Sequence, residues 1–168
     1  MATSPQPHRK RIKHFHEPGD LHELTFSTYR RKPLLTNDTW RCWLAESIDE
    51  ACEKENCRLV AFVFMPEHVH LLILPESPGP QTISRFLSRV KRPVSARVKQ
   101  ALQASGSRLL QTLTVRERPG KLSFRFWQEG PGYDRNLNEE RTVLASIDYI
   151  HENPARRGLC LRAIDWKW

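Results

Sequence analysis

Apolar positions recur along the chain with two periods, and the switches between them mark the elements. Residues 22–29 (HELTFSTY) alternate and are rich in β-formers, which predicts a strand. Asn37-Asp38-Thr39 supplies N-cap chemistry, and Trp43, Leu44, Ile48, Ala51 and Cys52 then recur at helical spacing, so a helix is expected over 40–56. Two nearly continuous apolar runs follow, 58–65 (RLVAFVFM) and 68–74 (HVHLLIL). Only Pro66-Glu67 separates them, which predicts a tight antiparallel hairpin with one strand or both well buried. Residues 75–80 (PESPGP) read as a turn-rich linker. A helix is expected over 82–102, with Ile83, Phe86, Leu87 and Val90 on one face and Pro93 placed to kink or split it. After a small polar break at 104–107 come a strand over 122–127 (LSFRFW) and a turn at Gly130-Pro131-Gly132. A last helix over 139–152 carries Val143, Leu144, Ile147 and Ile150, and Asn153-Pro154 ends it.

The order β-α-β-β-α-β-α matches a ferredoxin-like (split βαβ) antiparallel sheet with an added C-terminal helix, in the α+β class. A different four-stranded order and another αβ sandwich are the alternatives. There is no internal repeat. Residues 20–168 are expected to form one domain, preceded by a flexible basic arm over 1–19.

Composition narrows the class. A chain of 168 residues can bury a core without disulfides or a structural metal. No apolar run approaches the roughly 18 residues that span a membrane. The start, MATSPQPHRKRIKHFH, has no apolar stretch and is not expected to be a secretory signal. The four cysteines, Cys42, Cys52, Cys57 and Cys160, form no C-x-x-C pair, which fits a reduced cytosol. The expected location is cytoplasmic, nucleoid-associated when DNA is bound. Lys plus Arg is 27 against 19 Asp plus Glu, a net charge of +8, which points to a polyanion and most often a nucleic acid.

Two short motifs could carry chemistry. His68-Val69-His70 opens an apolar strand, where residues i and i+2 share a face with Cα atoms about 6–7 Å apart. The imidazoles could reach one divalent cation, or they could be two half-exposed histidines at a strand end. Tyr149 and Asn153 stand at i and i+4 on the last helix, so a phenol and an amide could approach one point. Asn before Pro is also an ordinary helix stop, and Tyr on a helix is ordinarily half-buried core.

The segment Phe64-Met65-Pro66-Glu67-His68-Val69-His70-Leu71-Leu72 resembles the metal-binding strand of the HUH single-tyrosine transposases. The segment from Tyr149 through Asn153-Pro154-Ala155-Arg156-Arg157 to Leu159 resembles the tyrosine helix of their REP-associated branch, the REP-associated tyrosine transposases. Trp127 to Arg135 is similar to the aromatic-Asp-Arg segment before that helix, and Phe15-His16-Glu17-Pro18-Gly19 also fits, so the likeness covers nearly the whole chain. Departures are Glu67, where the family more often has Asn, and Ala155, where Val is common; the chain stops at Trp166-Lys167-Trp168.

The resemblance implies His68 and His70 as metal ligands, Tyr149 as the nucleophile and Asn153 as a third protein ligand. It implies Mg²⁺ or Mn²⁺ as cofactor, and metal-dependent nicking and strand transfer of single-stranded DNA at hairpin, REP-like palindromic sequences through a 5′-phosphotyrosine. Monomer and homodimer both occur among such proteins. The alternatives are a non-cleaving hairpin DNA or RNA binding protein of the same fold, and a metallo-phosphodiesterase using activated water.

Single-stranded nucleic acid needs a basic groove and aromatic platforms. Charge is available from the arm (Arg9, Lys10, Arg11, Lys13), the helix face with Arg85, Arg89, Lys91 and Arg92, and Arg156-Arg157. Trp127, Tyr133 and Trp166 could stack, although each also reads as a core or surface residue. Glu67, Asp148 and Glu152 read as solvated charges, His151 as exposed, and Tyr29 and Tyr133 as rival nucleophiles.

Overall fold

Period-two alternation over residues 21–27 decides the layering. In the computed structural model, which describes residues 19–77, 79 and 81–168, this segment is strand β1, Leu21–Ser27. Its Leu24 and Phe26 join one apolar core, and Thr25 and Ser27 line a cleft on the opposite face. The elements that follow are helix α1 (Asp38–Glu55), strands β2 (Cys57–Phe64) and β3 (His68–Pro75), helices α2 (Thr82–Ala104) and α3 (Arg108–Leu113), strands β4 (Thr114–Arg118), β5 (Lys121–Phe124) and β6 (Tyr133–Leu137), and helix α4 (Glu140–Arg156).

Four strands form an antiparallel sheet in the order β2-β3-β1-β6. This is the ferredoxin-like split βαβ arrangement, with α4 added. Helices α1 and α2 cover one face: Leu44, Ile48, Phe86, Val90 and Val94 pack with Val69, Leu71 and Ile73 of β3. On the other face, Ile150 of α4 packs with Ala61, Val63, Leu72 and Leu137. The sheet is therefore covered on both sides, which explains why β3 is buried from His68 through Ile73. No helix among the described residues is long and apolar enough to cross a membrane.

Several local expectations hold. The Asn37 side chain accepts from the Trp40 N–H at 3.2 Å and caps α1. The β2–β3 hairpin closes over Pro66-Glu67, with the Met65 N–H donating to the His68 carbonyl at 2.9 Å.

Others are corrected. The alternating 122–127 segment does not close the sheet. Residues 121–124 pair with β4 as a separate two-stranded ribbon, because a Pro119-Gly120 turn brings a partner within reach. The fourth sheet strand is β6, whose sequence YDRNL contains one aliphatic residue and so gave little signal. Its entry depends on Gly132, at φ +93°, because a Cβ there would collide with the Thr25 carbonyl oxygen.

Pro93 does not split α2, since the buried stripe Val90, Val94, Val98 runs through it and packing outweighs one lost donor. Nor does Pro154 end α4. The helix continues to Arg156 and stops at Gly158, φ +68°, where the Leu159 N–H reaches the Pro154 carbonyl at 2.9 Å.

Candidate active site

Register brings the site together. His70 lies opposite Thr25 of β1 and Val63 of β2, and His68 lies opposite Ser27. Both imidazoles point to the α4 side of the sheet. Their Nε2 atoms are 3.0 Å apart, with the rings edge to face. Each Nδ1 has its own partner: Glu67 Oε1 at 3.1 Å for His68 and Thr25 Oγ1 at 2.8 Å for His70. A carboxylate only accepts, so Nδ1 of His68 carries a proton and its Nε2 presents a lone pair when the ring is neutral. Thr25 can donate or accept, so it serves either tautomer of His70.

Burial lowers the pKa of both rings. His70 falls to about 4, with the neighbouring His68 and Arg31 adding to the effect of burial. His68 is also lowered by burial, with Glu67 opposing the shift. Near neutral pH both rings are uncharged, and the 3.0 Å contact is a hydrogen bond from Nε2 of His70 to the Nε2 lone pair of His68.

Asn153 reaches this point from α4. Its Nδ2 lies 3.3 Å from Nε2 of His70, while its buried Oδ1 has no hydrogen-bond partner. A half-turn of the amide would present that oxygen to the same point. Two neutral imidazoles and one orphaned amide oxygen fit a divalent cation with coordination positions left open. Among the described residues no group of three or more His, Cys, Asp and Glu is placed to hold a metal, so a centre here depends on the amide. Tyr149, one turn before Asn153, sets its ring edge-on to His70 at 5.5 Å between centroids and is 41% exposed. The phenol therefore borders both the histidine pair and solvent.

Glu67 is not the solvated charge its sequence suggested. It is buried, and its Oε1 accepts from Arg157 at 2.7 Å and Arg31 at 3.3 Å as well as facing His68. Burial alone would push its pKa up, but the Arg157 hydrogen bond and the surrounding positive charge hold it below the usual carboxylate range. Arg31, Arg157, His68, His70, Tyr149 and Asn153 line a cleft of about 350 Å³. A larger hollow of about 560 Å³ opens on the other side of Tyr149.

The proposed nucleic-acid contacts divide. Arg156 and Arg157 line the cleft, and Tyr133, half exposed, lines the larger hollow. Arg85 and Arg89 lie on α2, behind the sheet, and both grip the buried Glu55 carboxylate at 2.7 and 2.6 Å. Lys91 donates to the carbonyls of Gly130 and Pro131 at 3.1 and 3.2 Å, and burial brings its pKa down to about 8. Arg92 is exposed on the same helix. Trp127 is a core residue and not a stacking platform: it packs edge-on against Phe26 and donates its indole N–H to the Lys91 carbonyl at 3.0 Å. The Trp166 indole N–H is likewise engaged, with the Phe64 carbonyl at 3.3 Å. Arg9, Lys10, Arg11 and Lys13 lie outside the described residues. Of the rival nucleophiles, Tyr29 packs against the core. His151 is exposed, as are Asp148 and Glu152. Sequence reasoning missed Thr25 and Arg31, which reach the site only through strand register and a tight turn.

A solved structure described as a REP-associated tyrosine transposase bound to a REP hairpin is similar in fold, with a TM-score of 0.64 at 19% identity over 95% of this chain and 81% of that one. A putative transposase from Deinococcus radiodurans R1 is more distant, with a TM-score of 0.46 at 18% identity over 86% of this chain and 97% of that one. Among curated proteins nothing matches. The family described as transposase, IS200 like, matches residues 20–153, which is most of the chain and includes both histidines, the tyrosine and the asparagine. The chain belongs to the IS200-like transposase family, whose members are DNA-cleaving enzymes that generally use a divalent metal.

Proposed function

We propose that this protein nicks single-stranded DNA beside a hairpin and transfers the cut strand, with Tyr149 as nucleophile and His68, His70 and Asn153 as metal ligands. The carrying observation is that the two Nε2 atoms of His68 and His70 meet the Asn153 amide, whose buried oxygen has no partner, beside a half-exposed phenol. Mg²⁺ or Mn²⁺ held there would polarise the scissile phosphodiester and offset its developing negative charge.

The remaining work falls to the chain. Tyr149 loses its proton and attacks phosphorus, the bond to the 3′ oxygen breaks, and the products are a 5′-phosphotyrosine and a free 3′-OH. The covalent link keeps the phosphodiester's energy, so strand transfer reverses the step on a new 3′-OH without ATP. Glu67 and Thr25 fix the orientation of the two imidazoles. Arg156 and the part of Arg157 not engaged by Glu67 supply positive charge for phosphates near the cut. The hairpin substrate is supported by the REP hairpin bound to the similar structure. We infer a cytoplasmic, nucleoid-associated protein that acts as a monomer or homodimer.

The test is a pool of end-labelled hairpins with single-stranded flanks, incubated with Mn²⁺ and run on a denaturing protein gel. Label migrating with the protein, and lost in Tyr149→Phe, is the expected result. Cleavage that survives Tyr149→Phe rejects the assignment. Hairpin binding without any adduct would favour the non-cleaving alternative.

A further inference from the structure

The larger hollow beside Tyr149 is lined by polar residues that present mostly apolar surface to it. Its floor is the β1–β6 half of the sheet, with Glu23, Tyr133 and Arg135, and its wall is α4, with Ser146 and Tyr149. The register pairs Tyr133 with Thr25 and Arg135 with Glu23, so these side chains stand on one face. A volume of about 560 Å³ is in the range of small-ligand sites.

Three features point to an occupant. Ser146 is 7% exposed and its Oγ has no hydrogen-bond partner, although it lines the hollow. Such a group ordinarily bonds a backbone carbonyl or faces water. Glu23 is also buried and forms a long ion pair with Arg135, at 3.9 Å, which leaves the carboxylate room to accept a hydrogen bond. Tyr133, 49% exposed, offers a ring at the border of this polar lining.

We propose that the hollow is a subsite for one unpaired nucleobase of the strand cut at Tyr149, and that it selects a base bearing an exocyclic amino group. Tyr133 stacks on the base. The Glu23 carboxylate accepts from the amino group, and Arg135, with Ser146 once its buried Oγ turns toward the hollow, donates to the adjacent ring nitrogen or carbonyl. Thymine is disfavoured because it would turn a carbonyl toward Glu23. His70 and Tyr149 line both the hollow and the metal-side cleft, so the base belongs to a nucleotide next to the scissile phosphate. The strand assignment rests on the nicking reading; recognition of the base does not.

The experiment separates the two. Full-length protein carrying Tyr149→Phe, which cannot consume its DNA, is mixed with hairpins whose single-stranded flanks are randomised, and the bound fraction is sequenced. One flank position is expected to be depleted of thymine by about tenfold. The depletion disappears when Glu23→Gln is added, and Tyr133→Ala lowers affinity for the whole pool by about tenfold. A pool with no biased position, or a bias that survives Glu23→Gln, overturns the subsite. Adduct formation by the unmodified protein is scored separately, so a failed nicking reading leaves this result interpretable.

Discussion

Arg157, just beyond the C-terminal end of α4, donates to the Glu67 carboxylate at 2.7 Å in the turn that opens β3. The tyrosine helix and the histidine strand are thus tied by one ion pair, and the same carboxylate oxygen faces His68 Nδ1 at 3.1 Å. Glu67→Gln should keep the shape but lose the charge that matches two guanidiniums and orients His68. Metal affinity is expected to fall by about 10–100-fold, as for other groups that orient a ligand. Stability should fall by about 1–2 kcal/mol, limited by the exposure of Arg157. Titration calorimetry with Mn²⁺ and urea unfolding measure the two separately. Unchanged affinity would show that Glu67 only braces the fold.

Asn153 offers the opposite balance. Its buried Oδ1 lacks a donor, and an unsatisfied buried acceptor costs about 1–3 kcal/mol. Asn153→Ala removes that cost and leaves a small cavity, so the metal-free melting temperature should change by no more than about 3 °C. Mn²⁺ should raise the melting temperature of the unmodified protein and not that of the variant. Equal stabilisation of both proteins by Mn²⁺ would exclude Asn153 from the metal site.

Acid should weaken the metal-free fold through His70. Its pKa is about 4 in the folded chain against 6.5 unperturbed, so between these values the unfolded chain holds more protons. Stability therefore falls as pH drops from about 6.5 toward 4, by up to about 3 kcal/mol for this residue. The lowered pKa of His68 acts in the same direction. Urea midpoints with chelator present should drop between pH 7 and pH 5, and less in His70→Gln. A flat profile between those values would mean that the buried rings titrate normally.

Two arginines separate fold from substrate. Arg85 is bound to Glu55 on the α2 side of the sheet, and Arg156 lines the cleft beside Tyr149. Arg85→Ala should cost about 1 kcal/mol of stability and leave DNA binding unchanged. Arg156→Ala should leave stability within about 0.5 kcal/mol and lower the salt-dependence slope of DNA binding by about 1. Anisotropy titrations across a salt series distinguish them, and a changed slope in Arg85→Ala would place DNA on the α2 side.

Much of this was legible in the sequence because its signals are local. The H-x-H spacing puts two imidazoles on one strand face, and the Tyr149–Asn153 interval puts two groups one helical turn apart. What could not be read depends on register and on distant pairing. Thr25 meets His70 only because β1 lies beside β3. Glu67 appeared as a charge in a turn, since its two arginines are 36 and 90 residues away. Alternation over 122–127 shows that the segment is extended and not which partner it takes, so its place in a separate ribbon is invisible in the sequence. Trp127 reads as a platform because exposure cannot be read from residue type, and Arg85 and Arg89 read as a basic stripe because their shared buried carboxylate lies on another helix.

The two-sided burial of β3 gives this strand an odd-even grammar. Val69, Leu71 and Ile73 face the large core, whereas His68 and His70 face the tyrosine helix. A saturation-mutagenesis map read for cellular abundance and for transposition should therefore disagree at His68 and His70 and agree at Val69, Leu71, Leu72 and Ile73. The apolar positions would lose both readouts together, and the two histidines would lose transposition while the protein still accumulates. One strand would thus carry two separable genetic phenotypes, with the histidine codons set apart from their apolar neighbours.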